Sequence, residues 1–304
     1  MTARHKRDQP DSQSGRRRRW IALAVIAACI VLVTVAAVLA PASPRPHGHT
    51  RPRAARADRT APARRSNPGV GVALSVSQQR ENNRQLLAHT SYIALGTARK
   101  RELALTFDDG PGPYTAGVLA VLERFHAKAT FFEIGRQVSE FPHLTASLAK
   151  AGMVIGDHTE EHPSMARLDA SSQAVQVDEA ADAIQGAGAP APLLFRPPYG
   201  AFDSTTLRLL RARDMVMVLW SVDTSDYALP GVTRIVASAL DGAKPGAVIL
   251  LHDGGGNRAQ TVAALPRIIE RLRARGYSLV TVPELLRDDP PPADQSRPVS
   301  LSGD

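Results

Sequence analysis

Five short stretches of the chain gather side chains that can move protons, hold a cation or stabilise an anion. Thr106-Phe107-Asp108-Asp109-Gly110-Pro111 sets two adjacent carboxylates at the end of an apolar run. Neighbouring side chains on a strand point in different directions, so one carboxylate can take a metal while the other stays free to move protons. The same Asp-Asp-Gly-Pro run would equally serve as an Asx-type turn or a cap ahead of Tyr114. His158-Thr159-Glu160-Glu161-His162 spaces two imidazoles at i and i+4, which one helical turn would bring to a single face. Two neutral imidazoles with one carboxylate are a common donor set for a catalytic divalent ion, with positions left for water and substrate. Two exposed histidines on a helix would explain that spacing as well. It is not the HExxH protease order, because Glu160 stands two residues after His158 rather than one.

Arg196-Pro197-Pro198-Tyr199-Gly200 is a stiff turn carrying a fixed cation. Its guanidinium could hold a carboxylate and the Tyr199 backbone N–H could meet an oxyanion, although a structural arginine on a Pro-rich loop fits equally. Asp223 and Asp226 follow another apolar run, and His252-Asp253 follows the next. With a carboxylate partner, His252 could stay protonated long enough to act as a general acid. Gly254-Gly255-Gly256 reads as a flexible loop without the Lys-Ser/Thr of a phosphate cradle. His89, His126 and His143 read as ordinary histidines. Glu133 also ends an apolar run but has no evident chemical role.

These residues must be held by a repeating scaffold. Apolar runs at 103–107, 129–132, 153–156, 193–195, 215–220, 247–251 and 277–281 alternate with helical periodicities such as Val118, Leu119, Leu122 and Phe125, or Leu265, Ile268, Ile269 and Leu272. Alternating strands and helices predict an α/β fold with a parallel sheet, open or closed into a barrel, whose ligands collect beyond the carboxyl ends of the strands. The reactive residues fall at those ends. A short helix over 77–88 and a strand near 92–95 are expected ahead of the first run.

Composition agrees with one large domain plus accessories. The chain has 304 residues, 43% apolar and 22% charged, which excludes wholesale disorder. A lone Cys29 excludes a disulfide framework and any Cys-based zinc module. The net charge of +8 is unevenly placed: residues 1–65 hold 14 Lys and Arg against 3 Asp and Glu, whereas residues 66–304 hold 23 against 26. A body at −3 loses the main support for nucleic-acid binding. Trp20 to Ala40 runs 21 residues without a charge, about 31 Å as a helix at ~1.5 Å per residue, enough to span a bilayer. Arg4, Lys6, Arg7 and Arg16 to Arg19 precede it, so the body is expected outside the cytoplasm. Cleavage near Ala42 or a lipid on Cys29 would export it too. The expected organisation is a basic tail at 1–19, a transmembrane anchor at 20–40, a Pro/Arg/Ala-rich linker and lead-in at 41–98, the catalytic domain at 99–288 and a disordered tail at 289–304.

In order, TFDDGP, HTEEHP, RPPYG, WSVDTSDY and ILLHDG resemble the five motifs of the polysaccharide deacetylases, the carbohydrate esterase family 4 or NodB-homology domain. The resemblance covers about Leu103 to Leu286. It implies a deformed (β/α)7 barrel and metal-dependent removal of acetyl groups from a polysaccharide. By the same resemblance Asp108 is the general base that activates water, and Asp109, His158 and His162 are ligands of one divalent ion, usually Zn2+, with Co2+ or another ion as substitutes. Arg196 positions the base, Tyr199 supplies the oxyanion N–H, His252 is the general acid and Asp226 orients it. Leu250 would line the acetyl pocket, with Tyr199, Tyr227 and Trp220 as further substrate contacts. The family's usual Asp-x-x-Asp-Trp is here Asp223-Thr224-Ser225-Asp226-Tyr227, which keeps an aromatic wall but changes its packing. The expected substrate is an N-acetylated glycan, foremost N-acetylglucosamine or N-acetylmuramic acid of peptidoglycan. An O-acetyl esterase acting on xylan and a catalytically silent wall-binding protein are the alternatives.

Overall fold

Glu102–Gly110 is a nine-residue strand whose residues are almost all buried, because helices cover one of its faces and a packed interior fills the other. The computed structural model describes residues 75–288, 291–292 and 295. The basic tail, the membrane-spanning segment and most of the linker predicted from sequence lie outside the described residues, as does most of the 289–304 tail. Among the described residues no helix is long and apolar enough to cross a membrane.

The strands are β1 (Glu102–Gly110), β2 (Thr130–Glu133), β3 (Val154–Asp157), β4 (Leu194–Phe195), β5 (Val216–Met217), β6 (Val222–Asp223), β7 (Val248–His252) and β8 (Ser278–Leu279). The helices are α1 (Val76–His89), α2 (Thr115–Arg124), α3 (Gly135–Glu140), α4 (Pro142–Lys150), α5 (Ala170–Gly186), α6 (Ser204–Arg211), α7 (Val232–Asp241), α8 (Ala259–Ala274) and α9 (Val282–Asp288). All strand pairs are parallel, in the order β5-β4-β3-β2-β1-β7-β6, with β8 on the first residues of β1. β5 and β6 belong to one stretch, 216–223, which pairs with β4 at its start and with β7 at its end. The sheet therefore curls back on itself as an α/β half-barrel, consistent with a deformed (β/α)7 barrel. Each of the seven apolar runs carries strand.

Strand alternation sorts the side chains. Leu103, Leu105 and Phe107 of β1, Phe131 of β2 and Ile249 and Leu251 of β7 pack outward in one apolar cluster with Val118, Leu122, Leu265 and Ile268 of the helices. Ala104, Phe132, Val248 and Leu250 turn inward with Trp220 and Phe195 in a second cluster. Even-numbered residues of β1 and β7 thus face the interior, and register pairs Asp108 directly with His252 at the carboxyl end.

The lead-in segment is part of the folded body from Val76 onward. Ser75 and Gln78 form a capping box at the start of α1. Buried Asn83 ties that helix to the carbonyls of Leu193 and Asp214, both at 2.8 Å. Beyond it Ile93 bridges to Val218 and Leu95 to Ala247, which fills the expected strand position near 92–95.

Candidate active site

Asp108 and Asp109 would face opposite ways on a regular strand. They do not, because the register between β1 and β2 slips between Asp108 and Gly110, and Asp109 takes the left-handed conformation with φ 70°. Asp tolerates that region better than most residues, and such a bulge re-aims its side chain. Both carboxylates consequently reach one cavity of about 280 Å3, lined by Asp108, Asp109, His158, His162, Tyr199, Trp220 and others beyond the carboxyl ends of the strands. A larger cavity of about 510 Å3 lies between α1 and α9 and holds none of the predicted site residues.

The two histidines arrive differently from the sequence expectation. Residues 158–162 are not helical: they form a loop after β3, with Thr159 at φ 70° and His162 at φ 62°. Thr159 caps the turn, its N–H donating to Asp157 Oδ1 and its Oγ1 accepting from the His162 N–H at 3.0 Å. Pro163 forbids a continuing helix, since the residue before a proline is pushed out of the helical region. The loop nonetheless brings the two rings to 4.9 Å between centroids.

Asp109 Oδ1 lies 3.5 Å from His158 Nε2 and 3.2 Å from His162 Nε2, and the three donor atoms all fall within 4.8 Å of one another. Ligands about 2.1 Å from a tetrahedral ion stand about 3.4 Å apart, so the triad fits a zinc-sized cation. The outer nitrogens are already engaged: His158 Nδ1 with the Arg196 carbonyl at 2.7 Å, His162 Nδ1 with the Tyr199 hydroxyl at 3.1 Å. Those contacts fix each ring with Nε2 toward Asp109, as metal-binding imidazoles require. Burial works against the Asp109 carboxylate, but the two imidazoles outweigh it and hold its pKa well below the usual range.

Asp108 is held from the other side. Arg196 is fully buried inside the barrel, 4.1 Å above the Phe132 ring, and its Nη1 donates to Asp108 Oδ1 at 2.7 Å and to Thr106 Oγ1 at 2.9 Å. Its remaining bonds go to the carbonyls of Val218 and Leu219. Desolvation lowers the Arg196 pKa, and the Asp108 charge opposes that. Across the cavity, His252 Nδ1 meets Asp226 Oδ1 at 2.7 Å, while the second Asp226 oxygen accepts from the His252 N–H and from Thr261 Oγ1. Burial disfavours the imidazolium, yet Asp226 prevails and the His252 pKa rises to about 9. The Tyr227 ring stands 5.3 Å from the His252 ring, and its hydroxyl donates to Asp223 Oδ2 at 3.3 Å.

A family model for polysaccharide deacetylases matches residues 95–218. A peptidoglycan-N-acetylglucosamine deacetylase of Bacillus cereus is 41% identical over 213 residues, covering 67% of this chain and 97% of that protein. The chain belongs to the polysaccharide deacetylase family. A chitooligosaccharide deacetylase of a Bradyrhizobium species is 38% identical over 217 residues, 64% of this chain and 99% of the relative. The crystal structure of a peptidoglycan N-acetylglucosamine deacetylase superposes with a TM-score of 0.64 at 33% identity, covering 66% of this chain and 95% of that one. This protein is accordingly a hydrolase that deacetylates polysaccharide.

Within this deacetylase, Asp108, Asp109, His158, His162, Tyr199, Trp220, Tyr227 and His252 line one cavity. Arg196 and Asp226 stand directly behind two of them. Leu250 is fully buried in the interior cluster that also contains Trp220, two residues before His252. Thr106, Thr261 and Arg258 support the site and were not singled out from sequence. Thr106 sits inside the first motif, whereas nothing local marks the other two. The Gly254–Gly256 stretch, expected to be flexible, is pinned: Arg258 Nε donates to the Gly254 carbonyl at 2.7 Å. Glu133 and Asp253 are not among the residues lining the cavity and instead accept from Thr145 and Thr115 of the flanking helices. His89, His126 and His143 are exposed on the surface.

Proposed function

We propose that this deacetylase removes N-acetyl groups from N-acetylglucosamine or N-acetylmuramic acid units of peptidoglycan, using one divalent ion, foremost zinc, held by Asp109, His158 and His162. The observation that carries it is the placement of two separately buttressed proton-handling groups, Asp108 on Arg196 and His252 on Asp226, on either side of that triad. The two relatives' names, one for peptidoglycan and one for chitooligosaccharide, support an N-acetylated glycan. A charge-free segment at 20–40 behind an arginine cluster supports a single-pass membrane anchor with the catalytic domain outside.

When bound, a divalent ion supplies Lewis acidity that polarises an amide carbonyl and acidifies water. Asp108 takes a proton from the attacking water as the water oxygen adds to the amide carbon, its Oδ1 tied to Arg196 so that Oδ2 turns toward the triad, 3.8 Å from His158 Nε2. The Tyr199 N–H, on a turn fixed at φ 58°, donates to the developing oxyanion. His252, protonated at neutral pH by virtue of Asp226, gives its Nε2 proton to the departing sugar nitrogen. Acetate and a free amino sugar leave the cavity. Tyr227 and Trp220 wall the sugar's approach.

The test is acetate release by the full chain from peptidoglycan, chitin oligomers and acetylated xylan. Release from peptidoglycan that stops with a chelator and returns with zinc is expected. Release from xylan alone would transfer the activity to esters, and no release from zinc-loaded protein would leave a wall-binding role.

A further inference from the structure

Asp109 keeps a left-handed backbone, and such a conformation persists only where the surroundings over-determine it. The histidines define one side of its carboxylate. Its other side is covered by the glycine loop after β7. A Cβ on Gly254 would fall on the Asp109 carbonyl, and one on Gly255, which has φ 68°, would fall on the carboxylate itself. Only a glycine backbone can lie this close to the side chain. Three consecutive glycines have the greatest freedom to leave, so something must hold them.

Arg258 does so. It is 4% exposed and lines the cavity, and its Nε and Nη2 grip the Gly254 and Gly255 carbonyls at 2.7 and 2.9 Å. Nη1 reaches the carbonyls of Tyr227 and Asn257 at 3.4 Å each. Among the described residues no carboxylate pairs with it, so its charge is met by backbone carbonyls alone. The planar fork thereby links the loop behind Asp109 to the turn that carries Asp226, the partner of His252.

We infer that Arg258 is a positioning residue that fixes the reach of the Asp109 carboxylate, and hence the affinity of the triad for its cation, by clamping the glycine loop against it. The inference rests on Asp109, His158 and His162 being the cation site. Loss of the clamp frees the loop and lets the carboxylate swing, which weakens binding while leaving the loaded site chemically complete.

The experiment is zinc affinity of the full chain by competition with a chromogenic chelator, for wild type, Arg258→Met and Arg258→Lys, with thermal melting of each to establish folding. Arg258→Met is expected to bind zinc about 10- to 100-fold more weakly, as removal of supports behind metal ligands generally does. Arg258→Lys should fall between, since an ammonium can reach a carbonyl but cannot fork across two. Both variants should keep a wild-type far-ultraviolet circular dichroism spectrum and a cooperative melt, which a general loss of structure would not permit. Wild-type zinc affinity in folded Arg258→Met overturns the proposal. Should that variant fail to fold, wild-type affinity in Arg258→Lys overturns it instead. A wild-type chain that binds no zinc would sink the metal site itself, independently of Arg258.

Discussion

The two faces of the same strands make an instructive contrast. On the inner face, Asp108, Asp109 and Asp226 are deeply placed carboxylates that each meet a cationic or imidazole partner. On the outer face, Glu133, Asp157 and Asp253 are buried under helices and each leaves one oxygen without a hydrogen-bond partner among the described residues. Thr145 donates to Glu133 at 2.8 Å, and Thr115 donates to Asp253. Desolvation lifts Glu133 to about 8 and Asp253 to about 7, and raises Asp157 well above its usual value. Burial is common to both faces. What separates the two sets is a cation or imidazole at ion-pair distance, which outweighs desolvation at Asp109 and Asp226 and which, among the described residues, none of Glu133, Asp157 and Asp253 has.

The contrast breaks most sharply at Asp108. Replacing it with Asn should lower kcat by about 10^2- to 10^4-fold, the usual contribution of a general base, with zinc content unchanged. His162→Ala should lose both activity and metal. Equal zinc in the two variants, by elemental analysis, would refute that division of labour.

A smaller effect is expected at Asp226. Wild-type kcat/KM should fall as pH rises through the His252 pKa of about 9, because the acid must carry its proton. Asp226→Asn removes the group that raises this pKa, so the alkaline fall should move to lower pH. A pH–rate profile with an unmoved alkaline limb would detach Asp226 from the acid.

The outer face should respond least in activity. Glu133 is protonated at neutral pH, so Glu133→Gln should leave turnover within about threefold, as a swap of one neutral group for another away from the cavity. Stability should carry the signal instead. A carboxyl whose pKa is about 8 when folded and near 4.5 when unfolded stabilises the fold fully at low pH, and that contribution is lost progressively as pH rises through this window. Melting temperatures of wild type should therefore drop between pH 5 and pH 8 more than those of Glu133→Gln. Parallel curves would show that Glu133 does not hold its proton.

Much of this was legible in the residues, and the omissions have physical causes. Seven of the eight strands appeared as apolar runs because buried parallel strands need side chains of one kind on both faces, and the two-residue β6 lay outside them. Asp108, His252 and the other reactive groups stood at their ends for the same reason. The bulge at Asp109 was not legible, since it arises from a register slip between two strands. The helical turn expected for His158 to His162 failed because i, i+4 spacing aligns side chains only on a helix, and Pro163 already argued against one. Arg258 escaped notice because its partners are carbonyls, which sequence does not distinguish. Parity within β2 could have excluded Glu133 in advance.

The central claim is that deacetylation requires one cation shared by Asp109, His158 and His162. It is tested most directly by titrating the metal-stripped full chain with zinc while following acetate release from peptidoglycan. Activity should rise in proportion to zinc and break at one equivalent per chain, with no rise in His162→Ala. Undiminished acetate release from the stripped enzyme under chelator, or a wild-type titration in His162→Ala, would contradict it.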